Sequence, residues 1–296
     1  MTNIAVPAEL GRFKHRFIRF AKERYPVDRP SLIFIGCLVA CWATTYYLMN
    51  VVANVASYRS SLIQHPERLP DLGFEVIPEI QELWLTDLFD VLMFAPTAIM
   101  ATFINRRPNY ILVKGLGSSL ICNIMRICTV AVTSLPDSRT GCQFVTGDFW
   151  TTFRLHRCGD CMFSGHTTIF VLCTMVWISH APRNWIGIVC TFLIATVCIA
   201  GSLVVVANRA HYTMDILVAW YVSVSVWFTV SHFWDTQVVR RGWLRTINFP
   251  NPSLMNNGKV NHMVYAPSAQ SSPDILPMST YDLYESQYRP VELSPV

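Results

Sequence analysis

The sequence predicts an all-α fold, a polytopic membrane protein built as a six-transmembrane helix bundle, and three observations predict it. Of its 296 residues, 52% are hydrophobic and only 14% are charged. The apolar residues come in blocks, and runs of about 20 such residues match the roughly 30 Å of hydrocarbon that a membrane helix must cross. Charged residues fall between the blocks, basic on one set of connections and acidic or mixed on the other, which is the asymmetry that orients a chain in a bilayer.

Residues 1–30 form a basic N-terminal segment. Arg12, Lys14, Arg16, Arg19, Lys22, Arg24 and Arg29 are interleaved with Phe13, Phe17, Ile18 and Phe20. That composition suits a short helix lying on an anionic leaflet, the alternative being a solvated arm, and Pro26 and Pro30 end it. The segment lacks a secretory pattern, so the first apolar run reads as a retained helix.

The first span covers Leu32–Val52. The loop from Ala56 to Leu83 is acidic, with Glu67, Asp71, Glu75, Glu79 and Glu82. The second span, Trp84–Ile104, opens with Asp87 and Asp90. These carboxylates either lie in interfacial water or hold a cationic ligand group, with Trp84 or Trp150 supplying an aromatic face. Arg106 and Arg107 follow.

The third span, Tyr110–Thr133, carries Arg126 about two turns from its end, a depth at which an unpaired guanidinium is costly. Its expected anionic partner is a bound phosphate or one of Asp87, Asp90 and Asp160. The loop from Ser134 to Met162 is mixed in charge. The remaining spans are Phe163–Ser179, Trp185–Ala207 and Tyr212–Phe233, after which Arg240, Arg241 and Arg245 mark the basic side again.

The expected organisation is therefore a basic segment over 1–30, a membrane domain over 31–235 and a tail over 236–296. From Asn248 the tail is rich in Pro, Ser, Asn and Tyr, cannot bury a core, and is expected to be disordered. Both termini are expected in the cytosol, with the loops 56–83 and 134–162 at the lumen or cell exterior. The formal charge of +4 argues little about nucleic acid, because the basic residues sit beside the spans rather than on one soluble face, and no nucleic-acid partner is expected.

Seven of the ten cysteines fall in expected spans and read as small packing residues. Cys142, Cys158 and Cys161 lie where oxidation is possible. They are open to two readings, a disulfide or a zinc site that also uses His156.

Two motifs carry chemistry. C-G-D-C-M-F-S-G-H-T, Cys158 to Thr167, sets a Ser-Gly-His turn at the mouth of the fourth span. Ser164 can cap the helix, Gly165 lets the backbone approach a ligand, and the free N–H groups favour a phosphate. H-Y-T-M-D, His211 to Asp215, opens the sixth span on the same side. On a helix, His211 and Asp215 share a face. Two histidines and a carboxylate at one membrane surface suggest phosphoryl transfer through a phosphohistidine, one imidazole attacking and the other protonating the leaving group.

These motifs, C-G-D-x-x-x-S-G-H-T and H-Y-T-x-D-x-x-x-A, resemble the signature pair of the sphingomyelin synthase and related sphingolipid synthase family, itself similar to type-2 phosphatidate phosphatases. The resemblance extends to the run M-R-I-C-T-V-A-V-T-S-L-P, which carries Arg126 and ends at Pro136, and to Leu69-Pro70-Asp71. It covers most of the chain between about Leu32 and Trp234.

The resemblance implies a six-span bundle of the phosphatidate phosphatase kind. It implies transfer of a phospho-head group, phosphocholine first, from a glycerophospholipid to ceramide, releasing diacylglycerol at the Golgi or plasma membrane. Phosphoethanolamine and phosphoinositol are the alternatives, and Trp220 keeps the inositol alternative open. One phosphodiester replaces another, so neither ATP, another cofactor nor a metal is expected. His166, His211 and Asp215 are the expected catalytic residues; Arg126, Asp160, Ser164, Gly165 and Tyr212 are expected at the substrate. Arg154, Arg157 and Arg209 are expected to add positive potential at the mouth.

Three rivals remain. A metal-dependent alcohol phosphotransferase would need a D-G-x-x-A-R setting, which Asp87-x-x-Asp90 lacks. A lipid phosphatase would carry K-x-x-x-x-x-x-R-P beside its S-G-H motif, whereas the pattern occurs in this chain only at Lys22–Pro30, ahead of the first span. A six-span transporter or scaffold would place its polar residues near the bilayer midplane rather than at one surface.

Overall fold

The structure, a computed structural model, describes residues 28–63, 68–105, 107–139, 142–153, 158–159 and 161–239, with Leu244 and Ile247. The expectations for the N-terminal segment and the tail, and those for Arg106, Arg154, His156, Arg157, Asp160, Arg240, Arg241 and Arg245, lie outside the described residues. Among the described residues there is no strand. The elements are α1 (Arg29–Ser61), α2 (Leu72–Val76), α3 (Leu83–Ile99), α4 (Pro108–Val132), α5 (Gly165–His180), α6 (Trp185–Ala207) and α7 (Thr213–Phe233). π-helical turns, Met100–Ile104 and Trp234–Val239, prolong α3 and α7.

Local chemistry sets the helix starts. Asp28 accepts from Ser31 N at the head of α1, with Pro30 in its first turn; Pro108 opens α4; Asn184 accepts from Gly187 N at the head of α6. Each satisfies or removes a donor that a helix start would otherwise leave bare.

Five helical segments are long and apolar enough to cross a membrane, namely Arg29–Ser61, Leu83–Ile104, Pro108–Val132, Trp185–Ala207 and Thr213–Val238. The chain is thus a multi-pass α-helical membrane protein. The expected fourth span is present as α5, but it has 16 residues, about 24 Å of helix. α5 is buried from Thr167 to Trp177 on almost every face, Ile169 excepted. It packs on α3, α4, α6 and α7 as the centre of the bundle.

Within a bilayer, apolar contact gives little net drive for helices to associate, so polar pins and close packing carry more of the specificity. Here four indole N–H groups make those pins. Trp42 donates to Ser119 Oγ (3.1 Å), Trp177 to Thr97 Oγ1 (3.0 Å), Trp220 to Ser202 Oγ (3.2 Å) and Trp227 to Ser179 Oγ (3.1 Å). The last joins the C-terminal parts of α5 and α7, so these two helices run parallel with α6 returning between them. At the same end Lys114, a buried cation that sequence reasoning passed over, lies 4.3 Å from the Trp227 ring centroid and 5.7 Å from that of Tyr110.

α1 continues past the expected end at Val52 because its last three turns hold the third loop. Asn54 Nδ2 donates to the carbonyls of Phe149 (2.8 Å) and Thr152 (2.9 Å), Ser60 Oγ donates to Leu135 O (2.8 Å), and Val145 N donates to Ser57 Oγ (3.1 Å). The end of the helix thus acts as a stem for that loop. Cys142 and Cys158 form a disulfide across this loop, which removes two thiols that the zinc reading needed. Cys161 lies outside that bridge, buried beside Ser138.

Candidate active site

α5 and α7 start at the same end of the bundle, and the two histidines stand at those starts. Ser164 caps α5: its Oγ accepts from Thr167 N (3.2 Å) and Thr167 Oγ1 (3.0 Å), and its carbonyl accepts from Thr168 Oγ1 (2.9 Å). The cap fixes the turn that presents His166. The imidazole of His166 faces α3, where Asp90 Oδ2 is 3.7 Å and Asp87 Oδ1 is 3.9 Å from its Nε2. Asp87 and Asp90 are three residues apart on one helix face, so both reach the same ring. Of the two readings of these carboxylates, the geometry adds a third neighbour that neither contained: the histidine itself.

His211 precedes α7 rather than lying on it. Arg209, at φ +52°, turns the chain out of α6 through the left-handed region, and the new helix begins at Thr213. The expected pairing with Asp215 forms by another route. Asp215, in the first turn, reaches back so that its Oδ2 accepts from Tyr212 N (3.0 Å) and lies 3.4 Å from His211 Nδ1. Both side chains are buried, His211 at 5% and Asp215 at 3% exposure, which places the pair in a medium where its electrostatics are weakly screened. With Nδ1 turned to the carboxylate, Nε2 is the nitrogen directed elsewhere.

Arg126, on α4, brings its guanidinium against the S-G-H turn. A Cβ on Gly165 would stand 2.3 Å from Arg126 Nη1. The room expected at Gly165 for a ligand is therefore taken by the arginine, whose charge is delivered to the turn bearing His166.

Two further expected residues lie in the protein interior. Arg209 is buried at 4% exposure and does not sit at the mouth: its Nη2 donates to the carbonyls of Phe74 and Ile77 (2.9 Å each), and its guanidinium lies 4.3 Å over the Phe74 ring. Tyr212, expected at the substrate, is also buried. Its hydroxyl donates to Pro136 O (3.1 Å) and accepts from Leu69 N (3.4 Å), and its ring stacks on Phe74. These contacts hold loops together rather than offering an open face. Trp84 and Trp150 are both exposed at this end. Asp160 lies outside the described residues.

Sequence reasoning gave no role to two carboxylates. Asp71 accepts from Thr213 N (2.8 Å) and Thr213 Oγ1 (2.5 Å), while Asp137 accepts from Gly159 N (2.7 Å). A signal was present: each follows Leu-Pro in a repeated L-P-D tripeptide, at 69–71 and 135–137, and both tripeptides meet at the Tyr212 hydroxyl.

A multi-pass helical bundle with a histidine at each of two parallel helix starts is the class this fold and site define, and residues 157–233 match the family described as PAP2 superfamily C-terminal. Beyond that stretch the chain is similar to curated proteins named as ceramide phosphotransferases. It is 26% identical over 225 residues to phosphatidylcholine:ceramide cholinephosphotransferase 2 of Caenorhabditis elegans, covering 67% of this chain and 62% of that one. It is 38% identical over 95 residues to a phosphatidylethanolamine:ceramide ethanolaminephosphotransferase of Trypanosoma brucei brucei, covering 29% and 28%. It is 24% identical over 236 residues to a phosphatidylinositol:ceramide inositolphosphotransferase of Trypanosoma cruzi, covering 59% and 69%. The chain thus spans less than two thirds of the first two of these relatives.

Proposed function

We propose that this protein transfers the phospho-head group of a glycerophospholipid to the primary hydroxyl of ceramide and releases diacylglycerol. The observation that carries this reading is the buried His211–Asp215 pair at the same end of the bundle as His166. The names of the relatives supply the substrate class, with phosphocholine as the head group and phosphoethanolamine or phosphoinositol as the alternatives.

In this mechanism Nε2 of His211 attacks the donor phosphorus. The bond from phosphorus to the diacylglycerol oxygen breaks, and His166 gives that oxygen its proton. The head group stays on phosphorus as a phosphohistidine. His166 then takes the proton of the ceramide hydroxyl, whose oxygen attacks phosphorus, and the phosphorus–nitrogen bond breaks to restore His211. Asp215 holds the His211 ring through Nδ1 and stabilises its positive charge. Asp87 and Asp90 stand beside Nε2 of His166, where they orient the imidazole for its part in proton transfer. Arg126 supplies positive charge for the phosphate. Ser164 and Gly165 shape the turn, Tyr212 acts through the loops, and Asp160 is assigned a supporting role on the motif alone.

The reading extends to topology: a membrane domain over 31–235, both termini in the cytosol, and the active site at the lumen of the Golgi or the cell exterior. A tag inserted in the third loop at exposed Gly147, where an added side chain would meet open space, tests this orientation. There it should be protected in sealed vesicles while a C-terminal tag is accessible. The opposite accessibility would overturn the orientation.

The activity is tested with the full chain in liposomes, labelled ceramide and one donor phospholipid at a time. Sphingomyelin formed from phosphatidylcholine, and absent with His211→Ala, supports the proposal. Product only from the ethanolamine or inositol donor reassigns the head group, hydrolysis without ceramide product favours a phosphatase, and no turnover with any donor favours a transporter or scaffold.

A further inference from the structure

The turn that carries His211 is gripped from outside by the first loop. Ile80 N donates to Ala207 O (2.9 Å), and Asn208 exchanges hydrogen bonds with the Glu82 backbone (3.0 Å each). Arg209 and Tyr212 hold the loop from two further points, with Phe74 between them. The tightest contact is that of Asp71 with Thr213, and Gly73 permits it: a Cβ there would stand 2.0 Å from Thr213 Oγ1.

The N-terminus of α7 has more backbone donors than its own side chains can serve. Asp215 already accepts from Tyr212 N while facing His211 Nδ1. The next donor, Thr213 N, is taken by Asp71 Oδ2, whose other oxygen accepts from Thr213 Oγ1 and from Phe74 N (3.3 Å). Without Asp71, the carboxylate placed to serve that donor is Asp215, and serving it turns Asp215 away from the imidazole.

We infer that Asp71 is a positioning residue: by capping Thr213 from the first loop, it leaves Asp215 to orient His211. This rests on the roles proposed above for His211 and Asp215. Asp71 touches neither substrate nor the reacting atoms; it acts on the rate through the pair.

The test is steady-state transfer by the full chain in liposomes, per folded molecule, with wild type, Asp71→Ala, Asp71→Asn, Asp215→Asn, the double variant Asp71→Ala/Asp215→Asn, Thr213→Ser and His211→Ala. Asp71→Ala should lower kcat on the order of 10 to 100-fold, the scale on which a small misplacement of a catalytic group is felt, with KM for ceramide changed by less than about 2-fold. The double variant should be no slower than Asp215→Asn alone, because both changes act on one interaction. Asp71→Asn keeps an acceptor oxygen and should recover part of the rate, and Thr213→Ser should keep nearly all of it. Asp71→Asn also serves should the alanine variant misfold. Wild-type kcat in folded Asp71→Ala, or a double variant slowed by the product of the two single effects, overturns the inference while leaving the proposed function intact. Full activity in His211→Ala or Asp215→Asn overturns the proposed roles and this inference with them.

Discussion

Asp215 Oδ2 lies 3.4 Å from His211 Nδ1 and accepts a hydrogen bond from the Tyr212 N–H between them. One oxygen atom thus ties the turn to the ring. A carboxylate in that position fixes which imidazole nitrogen is available for chemistry and stabilises the charge that develops on the ring.

His211→Ala should abolish both ceramide transfer and donor hydrolysis, and Asp215→Asn should lose up to about 10⁴-fold while keeping the fold. His166→Ala removes acid–base help worth about 10² to 10⁴-fold but leaves the nucleophile in place. Given a short-chain donor whose leaving group needs no proton, His166→Ala should still accumulate an acid-labile phosphohistidine, mapped to residue 211 by mass spectrometry. Label at residue 166, or inertness equal to that of His211→Ala, would reverse or reject the roles.

Gly165→Ala should separate activity from stability. The added methyl would collide with Arg126 Nη1, the far end of a flexible side chain, so the guanidinium can swing aside and the helix can keep its Ser164 cap. Displacing that charge from the site is expected to cost on the order of 10² in rate. Thermal melting should change little. A wild-type rate in a folded Gly165→Ala protein would detach Arg126 from the reaction.

Chelation addresses the cluster at His166. Its ring nitrogen and the carboxylates of Asp87 and Asp90 lie within 4.8 Å of one another, a spacing that could hold a metal ion. The histidine mechanism expects transfer to persist nearly unchanged in EDTA. Full loss, restored by Mg²⁺, would instead move these three residues into a metal-binding role.

The disulfide gives a chemical count. Under denaturing, non-reducing conditions eight cysteines should react with a maleimide, and ten after reduction. Replacing Cys142 and Cys158 with serine opens a link between residues 16 apart and should lower stability by about 3 kcal/mol on the chain-entropy account. Ten reactive thiols without reductant would show that the bridge is absent.

Much of this protein is written in consecutive residues. Apolar run lengths located the five described helices long enough to cross a membrane and the shorter α5, because crossing hydrocarbon is a demand on each segment alone. Ser164 and the His211-to-Asp215 stretch likewise declared helix starts, since caps and one-turn neighbours are local. What the sequence could not decide are the contacts between distant segments. It did not reveal that α5 is short and central, that Asp87 and Asp90 face His166, that Arg126 fills the space at Gly165, or that Arg209 and Tyr212 bind loops. Asp71 and Thr213 are 142 residues apart. No periodicity joins two such positions; only the packing of α2 beside α7 brings a loop carboxylate to a helix start whose donors need it.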